Sequence, residues 1–381
     1  MASIISAGDA DIMQYIHERA DWPAFRWDEA KTAAKLAAVR YRQGRLLGRM
    51  EGFGLDLRNE AMLRTLTQDV VKSSEIEGET LNANQVRSSI ARRLGIDIGA
   101  LTPADQEVDG VVEMTLDATR NYDKPLTAER LFDWHAALFP TGRSGMSRII
   151  VGAWRDVRSG PMQVVSGPIG RERVHFRALA AERVDAEMAV FLEWFDCKSD
   201  IDPVQKAATA HLWFVTIHPF EDGNGRIARA IADMALARSE ESSRRFYSMS
   251  TQIRQERNAY YDRLEATQKG GLDITPWLDW FLSCLDRAFD GAEAVLANVF
   301  LKARFWERHA QAPFNPRQRD MLGRLLHGFE GKLTSTKWAK IEKCSPDTAL
   351  RDINELIDQG VLQKNPGGGR STSYSLAEDA D

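Results

Sequence analysis

The chain has 381 residues, more than a single hydrophobic core usually organises, so two or three domains are expected. Hydrophobic residues (43%) and charged residues (28%) are balanced as in an ordinary globular protein, and the net charge of −5 argues against a nucleic-acid binder that uses its whole surface. Three cysteines far apart, without CxxC or Cys/His ligand spacing, suggest neither a disulfide framework nor a zinc site. No apolar run reaches the roughly 18 residues that a membrane span requires, so we expect a cytoplasmic protein.

Two helices are predicted near the N-terminus. Residues 28–50 and 60–76 carry apolar side chains at helical spacing, and Gly78 suits the left-handed conformation that often ends a helix. Glu77 then stands at a helix C-terminus, where the negative end of the helix dipole disfavours a carboxylate. Two interpretations stay open at this point: a functional glutamate, or an ordinary solvated one.

The middle of the chain is predicted to be helical, with one hairpin. Residues 161–176 place β-branched residues on both sides of a Ser-Gly-Pro-Ile-Gly turn, which indicates a small β-hairpin. The predicted fold class is therefore mainly α. The further predicted helices are 104–120, 127–138, 182–197, 203–217, 225–239, 251–267 and 275–290.

A separate module is predicted after a proline-containing boundary at 310–316. Helices at 317–329, 334–343 and 345–359 are followed by two short strands around a glycine-rich turn, a pattern typical of a winged helix-turn-helix domain. Residues 313–376 contain ten Lys/Arg and seven Asp/Glu, a net charge of +3, so positive charge is concentrated in this module.

The motif His218-Pro-Phe-Glu-Asp-Gly-Asn-Gly-Arg-Ile-Ala-Arg229 lies between two predicted helices. Its Gly223-Asn224-Gly225 run stands at a helix start, where consecutive backbone N–H groups and the positive dipole end suit a phosphate. Arg226 and Arg229 are three residues apart and share a helix face, so both guanidinium groups can bind one polyphosphate.

Two further residues of the motif suit metal and proton chemistry. Asp222 precedes the glycine run and could hold Mg²⁺ through one carboxylate, with phosphate oxygens and waters completing the octahedron. His218 titrates near neutral pH and suits removal of a proton from an attacking hydroxyl. Each residue alone is more often part of a turn or a core, but their combination within twelve residues favours a nucleotide site.

This stretch resembles the HxFx[D/E]GNGRxxR signature of the Fic (filamentation induced by cAMP) family. The resemblance implies a Fic-type helical bundle with a small β-hairpin flap, and transfer of AMP from ATP to a Ser, Thr or Tyr hydroxyl of a protein, the enzyme itself included. It also implies ATP and Mg²⁺ as ligands. The implied roles are general base for His218, metal ligand and nucleotide contact for Asp222, and phosphate contacts for Gly223, Asn224, Gly225, Arg226 and Arg229.

The run Ser73-Ser-Glu-Ile-Glu77-Gly78 resembles the inhibitory-helix motif [S/T]xxxE[G/N] of the same family. The resemblance implies regulatory roles for Ser73 and Glu77, with Glu77 paired to Arg229, and a place in the subclass whose inhibitory helix is N-terminal. The predicted domains are an N-terminal helical domain at 1–100 with the inhibitory helix at about 60–78, a Fic catalytic core at 101–310 and a winged-helix domain at 311–381.

The outer walls of the nucleotide site are assigned by the same resemblance. Tyr260 and Tyr261 resemble an aromatic pair that lines the nucleotide site, and Gln268 is expected to contact adenine. The hairpin resembles the flap that aligns a target segment by strand addition, and its residues are expected to touch the nucleotide. The flap residues concerned are Gln163, Val164, Val165 and Ser166.

Two alternatives stay open beside AMP transfer. The same site could remove AMP, with Glu77 orienting a water. A different class is a DNA-binding regulator whose Fic core senses a nucleotide, and the oligomeric state, a homodimer included, is not fixed. For the DNA-binding alternative the expected contacts are Ser345, Thr348, Arg351, Lys364 and Arg370.

Overall fold

Helices dominate the chain, as its sequence predicts. The computed structural model describes residues 15–166, 171, 173–326, 329, 331–366 and 372–377. The chain divides into two units, one ending at Glu293 and the other beginning at Ala294. No helix in the described part of the chain is both long enough and apolar enough to cross a membrane.

The first unit holds the helices that build the candidate site. A short 3₁₀ helix at Ile16–Glu18 precedes them, and two more lie at Val157–Ser159 and Ala181–Arg183. The helices are α1 (Glu29–Glu51), α2 (Leu55–Ile76), α3 (Ala83–Leu94), α4 (Gln106–Arg120), α5 (Ala128–Leu138), α6 (Val184–Asp196), α7 (Pro203–Ile217), α8 (Asn224–Glu240), α9 (Met249–Gln255), α10 (Arg257–Gln268) and α11 (Thr275–Arg308), the last of which continues into the second unit.

Helices α7 and α8 form the centre of the first unit. Every residue of α7 from Val204 to Ile217 except Lys206 is buried, as expected for a helix enclosed by others. Its N-terminus is capped by Asp202, whose carboxylate accepts from the Val204 N–H at 2.8 Å. The motif that joins α7 to α8 is therefore held by the most buried pair of helices in this unit.

Two antiparallel ribbons complete the first unit. Strands β1 (Arg143–Ser144) and β2 (Ser147–Arg148) form a minimal pair. Strands β3 (Gln163–Ser166) and β4 (Arg173–Arg177) form the predicted hairpin, which we call the flap, with Val164 opposite Phe176 and an irregular register between Val164 and Val165. Most of the turn between these strands lies outside the described residues.

The structure differs from the predicted elements of the first unit at four places. Helix α3 was not predicted, although Asn82 caps its N-terminus and Gly95 ends it in the left-handed conformation. Helix α2 begins near residue 55 rather than 60, and α11 continues well past residue 290. The single helix predicted at 251–267 is two helices, because the backbone leaves helical geometry at Glu256.

The described residues of the second unit form three further helices and a hairpin. These elements are α12 (Pro316–Leu326), α13 (Ser335–Ile341), α14 (Pro346–Asp358), β5 (Leu362–Lys364) and β6 (Tyr374–Leu376), with Leu362 opposite Leu376. Met321, Trp338, Ile353 and Leu356 are buried in its own apolar core. The winged-helix interpretation of this order stays a prediction.

Candidate functional site

His218 stands where α7 ends and adopts a left-handed backbone conformation, with φ 53° and ψ 60°. Phe220, two residues later, is fully buried and stacks on the His135 ring with centroids 4.2 Å apart, which anchors the loop in the core. The Nδ1 atom of His218 lies 3.3 Å from the Val215 carbonyl oxygen. Since a carbonyl only accepts, Nδ1 carries the proton and Nε2 keeps its lone pair.

Burial lowers the pKa of His218 to about 4, and the positive charge of Arg155 acts in the same direction. The Val215 carbonyl and the carboxylates of Asp222 and Glu77 oppose this effect without reversing it. The imidazole is therefore neutral at physiological pH. A neutral ring with a free lone pair on Nε2 is the form that a general base requires.

The glycine run begins α8. Gly223 has φ 81°, and a Cβ there would lie 2.9 Å from Phe139 Cε2, so both backbone conformation and space favour glycine. Asn224 braces the loop with its side chain, donating Nδ2–H to the Phe220 carbonyl at 2.8 Å and accepting the Phe220 N–H at 3.0 Å. The helix N-terminus is thus fixed by side-chain contacts, and its first N–H groups are oriented for an anion.

Asp222 precedes this helix and accepts hydrogen bonds at both carboxylate oxygens. The Gly223 N–H donates to Oδ1 at 2.6 Å, and the Ser144 hydroxyl donates to Oδ2. His135 Nε2 lies 3.2 Å from the Asp222 carbonyl oxygen, so His135, which matches no catalytic position, instead supports the loop. Within the described residues, no group of three or more His, Cys, Asp or Glu side chains converges to hold a metal ion.

Arg229 is almost fully buried and contacts the end of α2 with all of its guanidinium nitrogens. Nη1 lies 2.8 Å from Glu77 Oε1. Nε donates to the Ser73 hydroxyl at 3.0 Å, and Nη2 donates to the Ser73 carbonyl at 2.8 Å. The end of α2 therefore takes up the donors with which Arg229 could bind a phosphate.

Glu77 also touches the glycine run and the aromatic pair. Its Oε1 atom would lie only 2.2 Å from a Cβ built on Gly225, so this glycine leaves room for the carboxylate. The Tyr261 hydroxyl donates to Oε2 at 3.4 Å. Arg257 holds the same helix end by donating to the Ile76 carbonyl at 2.7 Å. Glu77 is thus aimed into the candidate phosphate site.

Arg226, the other arginine of the motif, has a partner that the sequence did not suggest. Its Nη1 atom lies 2.5 Å from Oε2 of Glu79, and its guanidinium stacks over the Phe139 ring at 5.1 Å. Burial raises the pKa of Glu79 against the attraction of Arg226. The segment after α2 therefore pairs a carboxylate with each motif arginine.

A cavity of about 460 Å³ opens beside His218, Glu77 and Gly225. Tyr260 and Tyr261 line it, with ring centroids 5.0 Å apart, and Gln268 lies at its wall with Nε2 3.3 Å from the Thr216 hydroxyl oxygen. The flap contributes Val164, Val165, Ser166, His175 and Phe176 to the lining. Gln163, assigned with these flap residues by resemblance, is not among the lining residues.

The flap is held over this cavity by a chain of three side chains. Ser166 Oγ and His175 Nε2 lie 2.5 Å apart, and His175 Nδ1 lies 2.6 Å from Oε2 of Glu265 on α10. Burial of Glu265 acts against ionisation, but hydrogen bonds from Lys269, His175 and Arg173 lower its pKa to about 2. No sequence pattern links His175 to Glu265, because the two residues are 90 positions apart.

The residues expected to contact DNA lie in the second unit. Ser345 caps α14 by accepting the Thr348 N–H at 3.1 Å, and the two hydroxyl oxygens lie 2.9 Å apart. Arg351 and Lys364 are exposed, and Arg370 lies outside the described residues. Ser345 and Thr348 thus have a structural role in the cap, and the DNA contacts stay a prediction.

The sequence profile of the Fic/DOC family matches residues 125–236, the stretch from α5 through most of α8 that includes the whole motif. The chain carries a Fic/DOC family domain. A second profile, described only as a domain of unknown function (DUF4172), matches residues 15–96, which include α2 and Glu77. The Fic domain therefore supplies the motif, and the preceding domain supplies the carboxylate that pairs with it.

Curated relatives with the same domain are named protein adenylyltransferases. One, named fic-1, from Caenorhabditis briggsae is 29% identical over 198 residues, which cover 48% of this chain and 36% of the relative. Another, named Fic, from Aedes aegypti is 24% identical over 233 residues, which cover 58% of this chain and 41% of the relative. The chain thus spans well under half the length of these relatives.

Solved structures support the fold. A Fic family protein from Desulfovibrio desulfuricans superposes with a TM-score of 0.51 at 19% identity, over 91% of this chain and 97% of that one. A Fic-domain signalling protein from Bacteroides thetaiotaomicron gives a TM-score of 0.50 at 21% identity, over 69% of this chain and 97% of that one. At such identities the likeness concerns the fold alone.

Proposed function

We propose that the chain is a protein adenylyltransferase, which transfers AMP from ATP to a protein hydroxyl and releases pyrophosphate. The observation that carries this proposal is the geometry of one loop: a neutral histidine with a free Nε2, followed within eleven residues by an anion-binding helix start and two buried arginines. The names of the curated relatives agree with this activity.

The chemistry follows from the position of each group. A target hydroxyl approaches His218, whose Nε2 takes the proton while the hydroxyl oxygen attacks the α-phosphorus of ATP. The bond from the α-phosphorus to the bridging oxygen breaks, and pyrophosphate leaves with that electron pair. Backbone N–H groups at the start of α8, with Arg226 and Arg229, stabilise the charge that develops on the phosphates.

Asp222 is the residue in this loop that fits a magnesium ion. Its carboxylate stands immediately before the helix start and is oriented by Ser144 and by the Gly223 N–H, which leaves lone pairs free on both oxygens. A single carboxylate suffices when nucleotide phosphates and waters supply the other ligands. When bound, the ion would neutralise phosphate charge.

Two carboxylates at and just after the end of α2 block the phosphate site. Glu77 forms an ion pair with Arg229, and Glu79 forms an ion pair with Arg226, so neither arginine is free to hold the distal phosphates. ATP that binds beside these carboxylates meets negative charge at the γ-phosphate position, which displaces the α-phosphorus from in-line geometry. In this proposal Glu77 is therefore the inhibitory residue. Ser73 holds Arg229, the arginine that Glu77 blocks.

The flap provides the surface for the target. Among the residues that the structure describes, only β3 and β4 pair in this ribbon, and Val165 and Val174 are exposed, so an extended target segment could add as a strand at its edge. The target hydroxyl, on another protein or on another copy of this chain, would then lie over the cavity that His218 lines.

Mass spectrometry tests the proposal. Glu77→Gly protein is incubated with ATP and Mg²⁺, alone and with cell lysate, and modified peptides are sequenced. The expected result is an AMP adduct on a Ser, Thr or Tyr hydroxyl that is absent from the Glu77→Gly/His218→Ala variant. Detection of another nucleotide-derived group, or an adduct independent of His218, contradicts the proposal. The same variants given a pre-modified peptide decide whether AMP removal is the faster direction.

A further inference from the structure

Arg155 is a buried cation close to the proposed base. It lies in the segment between β2 and the flap, and only 3% of the residue is exposed. Its guanidinium donates to three carbonyl oxygens: His218 O at 2.8 Å, Leu179 O at 2.6 Å and Ile217 O at 3.4 Å. Its backbone N–H donates to Pro219 O at 2.9 Å. Arg155 thus contacts three consecutive residues of the His218 loop.

These contacts fall where the loop needs support. The last carbonyls of α7 lack helical partners, and they form the negative end of its dipole, where a guanidinium is favourable. His218 itself is in the left-handed conformation, which costs about 1 kcal/mol or more for a residue with a Cβ. Arg155 supplies hydrogen bonds on both sides of that residue, so it holds a backbone geometry that His218 alone would not favour.

The same guanidinium reaches the flap. Leu179 lies two residues beyond the end of β4, and its carbonyl accepts from the same Nη2 atom that approaches Ile217 O. One planar side chain therefore links the base loop to the segment that directly follows the flap. A guanidinium fork fixes the relative position of two such carbonyls better than a flexible ammonium does.

We propose that Arg155 is a positioning residue, which fixes the distance and angle between His218 and the flap so that the imidazole meets a target hydroxyl. Burial lowers the pKa of Arg155, because the charged guanidinium loses hydration there. The kinetic part of this inference rests on the proposed AMP transfer, whereas the positioning of the imidazole does not.

The charge of Arg155 allows a second measurement, the pKa of His218, because this charge helps to keep the imidazole neutral. Asp222 and Glu77 act on His218 in the opposite direction. The ionisable groups that share the cavity with His218 are Glu77, His175, Arg257, Tyr260, Tyr261 and Glu265. In the Glu77→Gly background used for the test, Glu77 is absent from every variant and replacing Arg155 changes none of the other groups, so the His218 pKa should rise. A residue that only stabilised the fold would not move it.

The experiment compares Arg155→Met, Arg155→Lys and the control Arg158→Met, all in the Glu77→Gly background. Arg158 belongs to the same segment, but its side chain is 84% exposed and pairs with Asp156. For Arg155→Met we expect kcat to fall about 10- to 100-fold with ATP affinity unchanged, and the His218 pKa, followed by ¹H–¹⁵N NMR of the imidazoles, to rise. Arg155→Lys should give an intermediate kcat, and Arg158→Met should match the parent.

A kcat and a His218 pKa in Arg155→Met equal to those of Arg158→Met overturn the inference. If Arg155→Met does not fold, Arg155→Lys decides: it keeps the charge but cannot span both carbonyls, so a kcat equal to the parent overturns the inference. The NMR titration needs no turnover. If the parent transfers no AMP, an unchanged His218 pKa in a folded Arg155→Met protein still refutes the positioning role, separately from the proposed function.

Discussion

Oε1 of Glu77 lies 2.8 Å from Nη1 of Arg229, although 152 residues separate them along the chain. The arginine is almost fully buried, whereas 30% of the glutamate side chain is exposed. Displacing the Glu77 side chain therefore disturbs less of the core than displacing Arg229 would. This asymmetry suits a removable block better than a structural ion pair, in which both partners are usually buried.

Loss of the base should stop transfer without stopping binding. We expect His218→Ala in the Glu77→Gly background to lower kcat by about 10²- to 10⁴-fold, because the imidazole acts on the target hydroxyl and not on the nucleotide. ATP affinity, measured by isothermal titration calorimetry, should stay within a factor of about two. Turnover at the parent rate under saturating ATP would rule out His218 as the base.

The pH dependence should reflect the lowered His218 pKa. The base works in its neutral form, and a folded pKa of about 4 keeps it neutral down to about pH 5. The kcat of Glu77→Gly should therefore be flat between pH 5.5 and 7.5 as far as His218 is concerned. An acid limb with an apparent pKa near 6.5 that persists when His175 is replaced by Asn would contradict an unprotonated, buried His218.

The same shift predicts how stability changes with pH. In the unfolded chain the imidazole regains its ordinary pKa, so the unfolded state binds the proton more readily. The free energy of unfolding should fall as pH falls from about 6.5 to about 4, and His135, with a pKa near 4 through burial, adds to this loss. Urea unfolding at several pH values measures it. His135→Asn should reduce the slope in this window if the protein stays folded.

Glu79 is expected to weaken nucleotide binding. Glu79→Gln removes the charge that pairs with Arg226, and because 45% of the glutamate side chain is exposed, the pair is worth at most about 1 kcal/mol. ATP affinity should therefore increase by up to about fivefold. Glu75→Gln is the matched control, since Glu75 pairs with Lys72 and Arg254 and not with the motif. Equal affinities in the two variants would show that Glu79 does not compete with phosphate.

Helix packing beside the site gives a test of stability. A Cβ on Gly110 of α4 would lie 1.8 Å from the Ala137 carbonyl oxygen of α5, so Gly110→Ala must push these helices apart. We expect the free energy of unfolding to fall by about 1–3 kcal/mol. Gly44→Ala in α1, where a Cβ meets nothing within 4 Å, should be neutral or stabilise by about 0.4–1 kcal/mol. Equal melting temperatures for the two variants would contradict this packing.

The sequence predicted the parts of the site that are local along the chain. The stretch from His218 to Arg229 is continuous, so its helix start, its arginines and its base could be placed from residue order alone. Glu77 was suspected because a carboxylate at a helix C-terminus is unfavourable, and the structure pairs it with Arg229.

The parts that the sequence missed depend on contacts between distant segments. Arg155 and His218 are 63 residues apart, and Glu79 and Arg226 are 147 apart, so neither pairing has a local pattern. Helix α3 has no predicted counterpart because it is only 12 residues long and carries few apolar residues, although Val86 and Ile90 stand four residues apart and are both buried. The break at Glu256 was missed because no proline or glycine marks it.

The rate of automodification in three proteins tests the central claim most directly. Wild type, Glu77→Gly and Glu77→Gly/Arg229→Ala are compared at equal ATP and Mg²⁺, with melting temperature as the control for folding. We predict that Glu77→Gly is faster than wild type by about 10²-fold, because the α-phosphorus is no longer displaced, and that the double variant loses most of this gain, because Arg229 is then the residue that holds ATP. A folded Glu77→Gly protein no faster than wild type would contradict the account.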